Sequence, residues 1–327
     1  MTEPRRPAGQ GATWRGPRAA GMALAMLTAL AGLGKVGAVW AAADPRLGPA
    51  TVMLEELSSS ELKARIDQGT RTALLPIGGT EQNGPHMALG KHNQRARLLA
   101  ARIAERLGQT VVAPVMAYVP EGEISPPSQH MRWSGTLSIS EAAFEAVIEG
   151  AARSLCQHGL RDVVLLPEHG GYLKSVERVA QRLNQRFATQ QGAAAACHVL
   201  ALTRYYQVTQ TDYVEALKAR GHGSAEIGQH AGLADTSLML ALDPAMVRLD
   251  VAAARPAGAA DGVNGDPRRA SAELGRLGSE RIVEATVAAI LASQRQRAAT
   301  GAAAGAGGAT MAAGKNETGK DMRKPAR

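Results

Sequence analysis

The spacing of apolar and polar positions sorts the middle of this chain into strands and helices. Ala73–Ile77 reads as a buried-type strand, Val111–Val119 is strand-like, and Asp162–Leu166 and His198–Leu202 read as two further strands. Between them the period lengthens. Ser58–Asp67 predicts a short helix with Ser58 to Ser60 available as its cap, and Arg95–Leu107 a helix stopped by Gly108. Ser140 precedes an amphipathic stretch with Phe144, Val147, Ile148, Ala151 and Leu155 on one face, ending at Gly159. Tyr172–Phe187, Thr236–Leu242 and Glu273–Gln294 complete the helices. Strands alternating with helices predict a three-layer α/β/α fold with a mostly parallel central sheet. Pro120–Ser134, rich in Pro, Gly and Ser, reads as a long irregular loop.

The two ends stand outside this pattern. Arg5, Arg6, Arg15 and Arg18 precede the apolar run Gly21–Gly34, and the small residues of AVWAAAD follow it. That order reads as an export signal over 1–43, cleaved near Ala41 or Ala43, giving a periplasmic or secreted protein. Fourteen residues fall short of the roughly 20 a spanning helix needs, so no stable membrane span is expected in the mature form. An uncleaved anchor continuing past Lys35 to Ala43 is the rival reading. The adjacent arginines lack the usual flanking residues of a twin-arginine signal, which leaves the export route open. From about Ala298 the sequence turns Ala/Gly-rich and then polar with no apolar period, so 295–327 reads as a flexible basic tail. The catalytic domain is expected over 44–294.

Charge supports this division. Of the formal net charge of +8, residues 1–43 carry five basic and one acidic residue, and 295–327 carry seven and two. The body holds 25 basic against 26 acidic residues and has no electrostatic footprint for nucleic acid. Aromatics are only 3% of the chain, so the core must rest on Leu, Val, Ile and Ala. The two cysteines, Cys156 and Cys197, are too few for a disulfide framework or a Cys-type zinc site. Each reads as a buried small side chain, and a single bridge between them stays open.

The chemistry gathers where strands end. Glu81, Asn83, His86 and His92 fall within twelve positions just past the first strand, and His169 follows the DVVLL strand. Ligands of such folds sit outside the carboxyl ends of the strands. Carboxylates and imidazoles placed there suit a metal site, and QHAGLADTS at 229–237 adds a further polar cluster. No GxGxxG or GxxxxGK loop supports a nucleotide binder.

Five ordered motifs over Leu74–Gly275 resemble the creatininase (creatinine amidohydrolase) family. That family's LPxGxxEQHGPHLPLxTD stands against LPIGGTEQNGPHMALGKH here. His130 with Gly135 and Thr136 matches its middle loop, PEHGGY its strand-end motif, HAGLADTS its HAGxxETS, and GDPRRASAELG its closing segment. The resemblance implies a binuclear metal site. Its Glu falls on Glu81 and its strand-end His on His169, but its motif His falls on Asn83, its bridging Asp on His92, and a further Glu on Gly171. Glu81, His92 and His169 thus remain as a ligand set for one divalent ion, zinc first, with manganese or iron as alternatives. The set for a second ion, Asn83, His92 and Gly171, has lost its private ligands.

The resemblance also makes His230 the proton-transfer residue, helped by Asp235, which stands for the family's Glu. His130 and Trp133 on the long loop, with Asn83, are expected to contact substrate. His86 is expected to orient its turn by hydrogen bonding. Glu123 and Arg132 share the loop and could contact a polar substrate, though most such charges are merely solvated. Glu168, beside His169, could serve as a proton acceptor or a replacement ligand, but adjacent side chains on an extended segment point apart, which ranks it low. His158, His198 and His222 lack a supporting cluster. The implied activity is hydrolysis of a small amide C–N bond, cyclic amides included, by a homo-oligomer. The rival is an exported binding protein that reuses the fold without catalysis.

Overall fold

The computed structural model describes residues 45–191, 196–254 and 258–313. The expected signal segment 1–43 and the tail beyond 313 lie outside the described residues. Four parallel strands form the sheet: β1 (Thr72–Ile77), β2 (Thr110–Val112), β3 (Asp162–Pro167) and β4 (His198–Ala201), in the order β2-β1-β3-β4. The helices are α1 (Ser59–Asp67), α2 (Lys91–Leu107), α3 (Glu141–Gln157), α4 (Leu173–Ala188), α5 (Arg204–Gln210), α6 (Asp212–Lys218), α7 (Ser224–Ile227), α8 (Leu233–Leu242), α9 (Leu249–Ala254) and α10 (Ala272–Ala313).

All six residues of β1 and of β3 are buried, as their unbroken apolar runs require when both sheet faces are covered. Successive side chains then serve opposite layers. Leu74, Val112, Val164 and Leu166 pack with Leu99 and Ile103 of α2, Leu238 of α8 and Ile282 of α10. Leu75, Ile77, Val163 and Leu165 pack with Phe144 and Ile148 of α3 and Val176 and Leu183 of α4. This is the expected α/β/α arrangement. β1 and β3 lie side by side with Ile77 opposite Pro167, so their carboxyl ends finish level.

Several boundaries differ from the sequence reading, each for a local reason. β2 ends at Val112 although the apolar run continues to Val119, because Pro114 cannot donate to the ladder. The chain nonetheless stays beside β1, where Met116 donates to the Pro76 carbonyl at 3.0 Å. α2 starts at Lys91, four residues early, since its first turn is polar and gives no apolar signal. α10 runs on to Ala313 instead of stopping at Gln294. Alanine is the strongest helix former and needs no apolar period to stay helical, which accounts for the helical backbone beyond Gln294. Within that extension Arg297 pairs with Asp162 at the start of β3.

Cys156 and Cys197 are buried, and they are also bonded to each other, joining the end of α3 to the chain just before β4. Among the described residues no helix is long and apolar enough to cross a membrane.

Candidate metal centre

The level ends of β1 and β3 bring two motifs together. Past Ile77 the chain turns through Gly78 and Gly79. Gly79 has φ +150°, and a Cβ there would lie 2.7 Å from Glu121 Oε1, so both conformation and space demand glycine. The Tyr172 hydroxyl lies 2.6 Å from the Gly78 carbonyl and accepts the Glu168 N–H at 3.2 Å, tying one strand end to the other. Glu81 and His169 therefore meet at the centre of one site.

Glu81 is fully buried and ringed by four imidazoles. Its Oε1 lies 2.7 Å from His92 Nε2 and 3.7 Å from His230 Nδ1. Its Oε2 lies 3.4 Å from His130 Nε2 and 3.7 Å from His169 Nε2. Glu121 enters from the long loop. Glu81, Glu121, His130 and His169 each offer one ligand atom, all within 4.8 Å of one another. Glu81 Oε2 and both oxygens of Glu121 are buried with no hydrogen-bond partner. Buried carboxylate oxygens are costly to leave unpaired, and a cation held between the two carboxylates would offset that cost. The residues present thus fit a divalent ion.

The electrostatics agree with that fit. Burial would raise the Glu81 carboxyl, but His92 and the other imidazoles hold it well below the usual range. Burial, then the adjacent Glu81, pushes Glu121 up to about 9. Burial pushes His169 down to about 4, and burial with Lys91 does the same to His230, so both rings are neutral at pH 7.

Behind the cluster, Lys91, His92 and Arg95 crowd the first turns of α2, all buried. A helix N-terminus favours acids, so cations there need compensation. Lys91 Nζ lies 2.8 Å from Asp235 Oδ2. Arg95 spends one nitrogen on each of three partners: Nε on Glu168 Oε2, Nη1 on Asp235 Oδ1 at 2.8 Å, and Nη2 on His92 Nδ1 at 3.2 Å. Tyr205 donates to Glu168 Oε1 at 2.5 Å. Burial would raise both acids. Arg95 holds Glu168 below the usual range, and Lys91 with Arg95 holds Asp235 well below it.

The partners of each ring bear on its tautomer. His230 Nε2 lies 2.9 Å from the Gln82 carbonyl, which can only accept, and 3.2 Å from the Gln82 side-chain amide; donation to the nearer carbonyl leaves Nδ1 bare and facing Glu81. His169 Nδ1 accepts the Gly171 N–H at 3.0 Å, and His130 Nδ1 lies 3.1 Å from the Gln82 amide nitrogen. Coordination through Nε2 requires these two rings to carry their proton on Nδ1. Gly171 is exposed and can turn its N–H to water. The Gln82 amide can turn at the cost of its bonds to Gly84 and Gly262.

The structure brings Glu81, His92, His130, His169 and His230 together. His92 touches Glu81 but stands outside the four-residue ligand group. Asp235 is bound to Lys91, Arg95 and the Ala231 N–H rather than to the His230 ring. Asn83 turns into its own loop, donating to the Glu81 carbonyl at 2.8 Å. Trp133 is half-buried on the long loop, its indole N–H 3.4 Å from the Ala260 carbonyl, with Arg132 stacked 5.0 Å from the ring centroid. His86 Nε2 lies 3.0 Å from Thr236 Oγ1, linking the GPH turn to α8. Glu168 does point away from His169, but into the Arg95 network. Glu121, forty residues from Glu81 and without metal-ligand spacing, gave no signal.

A family model described as creatinine amidohydrolase matches residues 55–290. The chain belongs to the creatininase family. It is 30% identical over 204 residues to a creatinine amidohydrolase of Pseudomonas putida, covering 61% of this chain and 75% of that one. It is 27% identical over 253 residues to a mycofactocin precursor peptide peptidase of Mycobacterium ulcerans, covering 68% and 86%. A solved creatininase superposes with a TM-score of 0.59 at 26% identity, covering 74% of this chain and 97% of that one. A manganese form of creatininase gives a TM-score of 0.57 at 28% identity, covering 73% and 97%. In this member of the family the fold sets Glu121 and His130 beside Glu81 and His169.

Proposed function

We propose that this chain is an exported amidohydrolase that cleaves a small amide C–N bond, with one divalent ion held by Glu81, Glu121, His130 and His169. The observation that carries this reading is the set of three unpartnered, buried carboxylate oxygens on Glu81 and Glu121 beside two neutral-capable imidazoles. Zinc suits a set of two imidazoles and two carboxylates, and manganese is the next choice. The bound ion supplies Lewis acidity and a water of lowered pKa.

The chain's own groups do the rest. His230 keeps its Nε2–H on the Gln82 carbonyl, which aims the bare Nδ1 at the site to accept a proton and return it to the leaving nitrogen. Asp235 helps through the backbone, accepting the N–H of Ala231 and so fixing the turn that carries His230. The long loop brings His130 to the metal group, and Trp133, three residues further along the same loop, is assigned to substrate contact.

The relatives' names frame the substrate panel: creatinine for one, a precursor peptide for the other. Purified mature protein should carry one metal per chain and turn over members of such a panel. His230→Ala should keep the metal and abolish turnover. Absence of bound metal, with stability unchanged in chelator, overturns the proposal.

Export is supported by the Cys156–Cys197 bond, since disulfides persist in oxidising compartments. Sequencing the mature N-terminus after cell fractionation tests it, with a start following Ala41 or Ala43 expected. A homo-oligomer is the accompanying proposal, tested by light scattering.

A further inference from the structure

Three rings direct Nε2 at Glu81: His92, His130 and His169. Each has its Nδ1 beside an N–H donor, but the donors differ in freedom. Gly171 is exposed, and the Gln82 amide can present its oxygen by turning. Arg95 can do neither. Its guanidinium has no acceptor and stays charged at any working pH. Nε and Nη1 are pinned by Glu168 and Asp235, and the side chain is buried. Nη2 therefore remains 3.2 Å from His92 Nδ1, and no other ring in the site has such a neighbour.

We propose that His92 is a positioning residue locked as an Nε2–H donor to Glu81 Oε1, which leaves Oε2 as the oxygen that Glu81 turns to the metal. This rests on the metal reading above and assigns His92 a part other than ligand.

The alternatives fail on hydrogen-bond chemistry. A ring with bare Nε2 would set its lone pair 2.7 Å from a carboxylate oxygen. Its Nδ1 proton would also lie against Arg95 Nη2–H at 3.2 Å, with only the more distant Glu168 Oε2 at 3.4 Å to turn to. A ring protonated on both nitrogens, its Nδ1–H turned to Glu168 Oε2 at 3.4 Å, still donates from Nε2 to Glu81. Every satisfied arrangement carries the Nε2 proton, and a nitrogen that carries a proton cannot coordinate. The crowding of Lys91 and Arg95 on the first turns of α2 then has a purpose. They hold Glu168 and Asp235, those acids hold the guanidinium, and the guanidinium holds the tautomer of His92.

The test has two arms. In the first, the metal-free chain is labelled with 15N-histidine and its ring nitrogens are read by long-range proton–nitrogen NMR, with His92 assigned by its loss in His92→Gln. The expected spectrum shows Nε2 protonated. A bare Nε2 overturns the proposal. In the second, His92→Gln and His92→Leu are compared with wild type for zinc affinity and for the number of imidazoles in the X-ray absorption spectrum of the zinc-loaded chain. Two imidazoles are expected in wild type and in both variants. His92→Gln keeps an amide donor and should bind zinc within about threefold of wild type, while His92→Leu should bind about 10–100-fold more weakly, the range for a lost outer hydrogen bond. Loss of one imidazole in His92→Gln makes His92 a ligand and overturns the proposal. A wild-type chain that binds no zinc sinks the metal reading instead, and the spectrum of the first arm still decides the tautomer.

Discussion

Glu121 sets its carboxyl beside that of Glu81 inside the site, and neither Glu121 oxygen has a hydrogen-bond partner. Burial first, and then repulsion by the Glu81 carboxylate, pushes Glu121 up to about 9, while Glu81, buried as well, is held low by the imidazoles around it. The pair is satisfied by a proton or by a cation, and that choice governs the behaviour of the metal-free chain.

At pH 7 Glu121 holds a proton, and metal must displace it. Loading should release about one proton per ion, because ligands bind deprotonated. Calorimetric titration in two buffers of different ionisation enthalpy measures this. No release from this residue, shown by an identical result in Glu121→Gln, would remove Glu121 from the ligand set.

Stability of the metal-free chain should depend on pH with a defined sign. The folded pKa of Glu121 lies above its usual value of 4.5, so the folded state binds the proton more tightly. The stabilisation is full below about 4.5 and is lost as pH rises through about 9. Glu121→Gln should abolish this loss and melt higher than wild type at pH 8 without metal. Thermal melts across pH 5–9 in chelator decide it.

His169→Ala should reduce metal affinity by at least about 100-fold, beyond the effect of most outer hydrogen-bond partners. Metal content after dialysis against a graded chelator series reads the change. Retention of a full equivalent would place the ion elsewhere.

Arg95→Met should destabilise the fold by about 3–5 kcal/mol, the usual cost of leaving buried acids without their partner. Glu168 and Asp235 are the acids left behind. Urea denaturation measures it, and a loss below about 1 kcal/mol, the size of an exposed pair, would show that the network carries little.

Reduction of the Cys156–Cys197 bond should cost about 3–4 kcal/mol, from the entropy of opening a loop closed across 41 positions. Denaturation with and without reductant, with Cys156→Ala as control, tests this. An unchanged midpoint would mean the bond adds nothing.

Much of this was legible along the chain. β1 and β3 are unbroken apolar runs, and such runs between helices leave few alternatives to a parallel sheet covered on both faces. Gly108 and Gly159 mark helix ends correctly because turning out of a helix is a local act. The start of α2 was hidden, since Lys91 and His92 answer to acids across the site and not to a core. The short α5 and α6 were missed because seven residues hold too few turns for a period to show.

The site divides along the same line. Glu81 and His169 could be placed at one end of the sheet from sequence because each lies within four residues of a strand's end, and strand polarity fixes which end that is. Sequence order says nothing about who faces them there. Glu121 and His130 arrive on a loop whose path depends on the fold around it, and the role of His92 turns on a guanidinium that two distant acids immobilise. Periods of two and 3.6 are written into neighbouring residues, whereas coordination and hydrogen bonding join atoms that only the folded chain brings within about 3 Å.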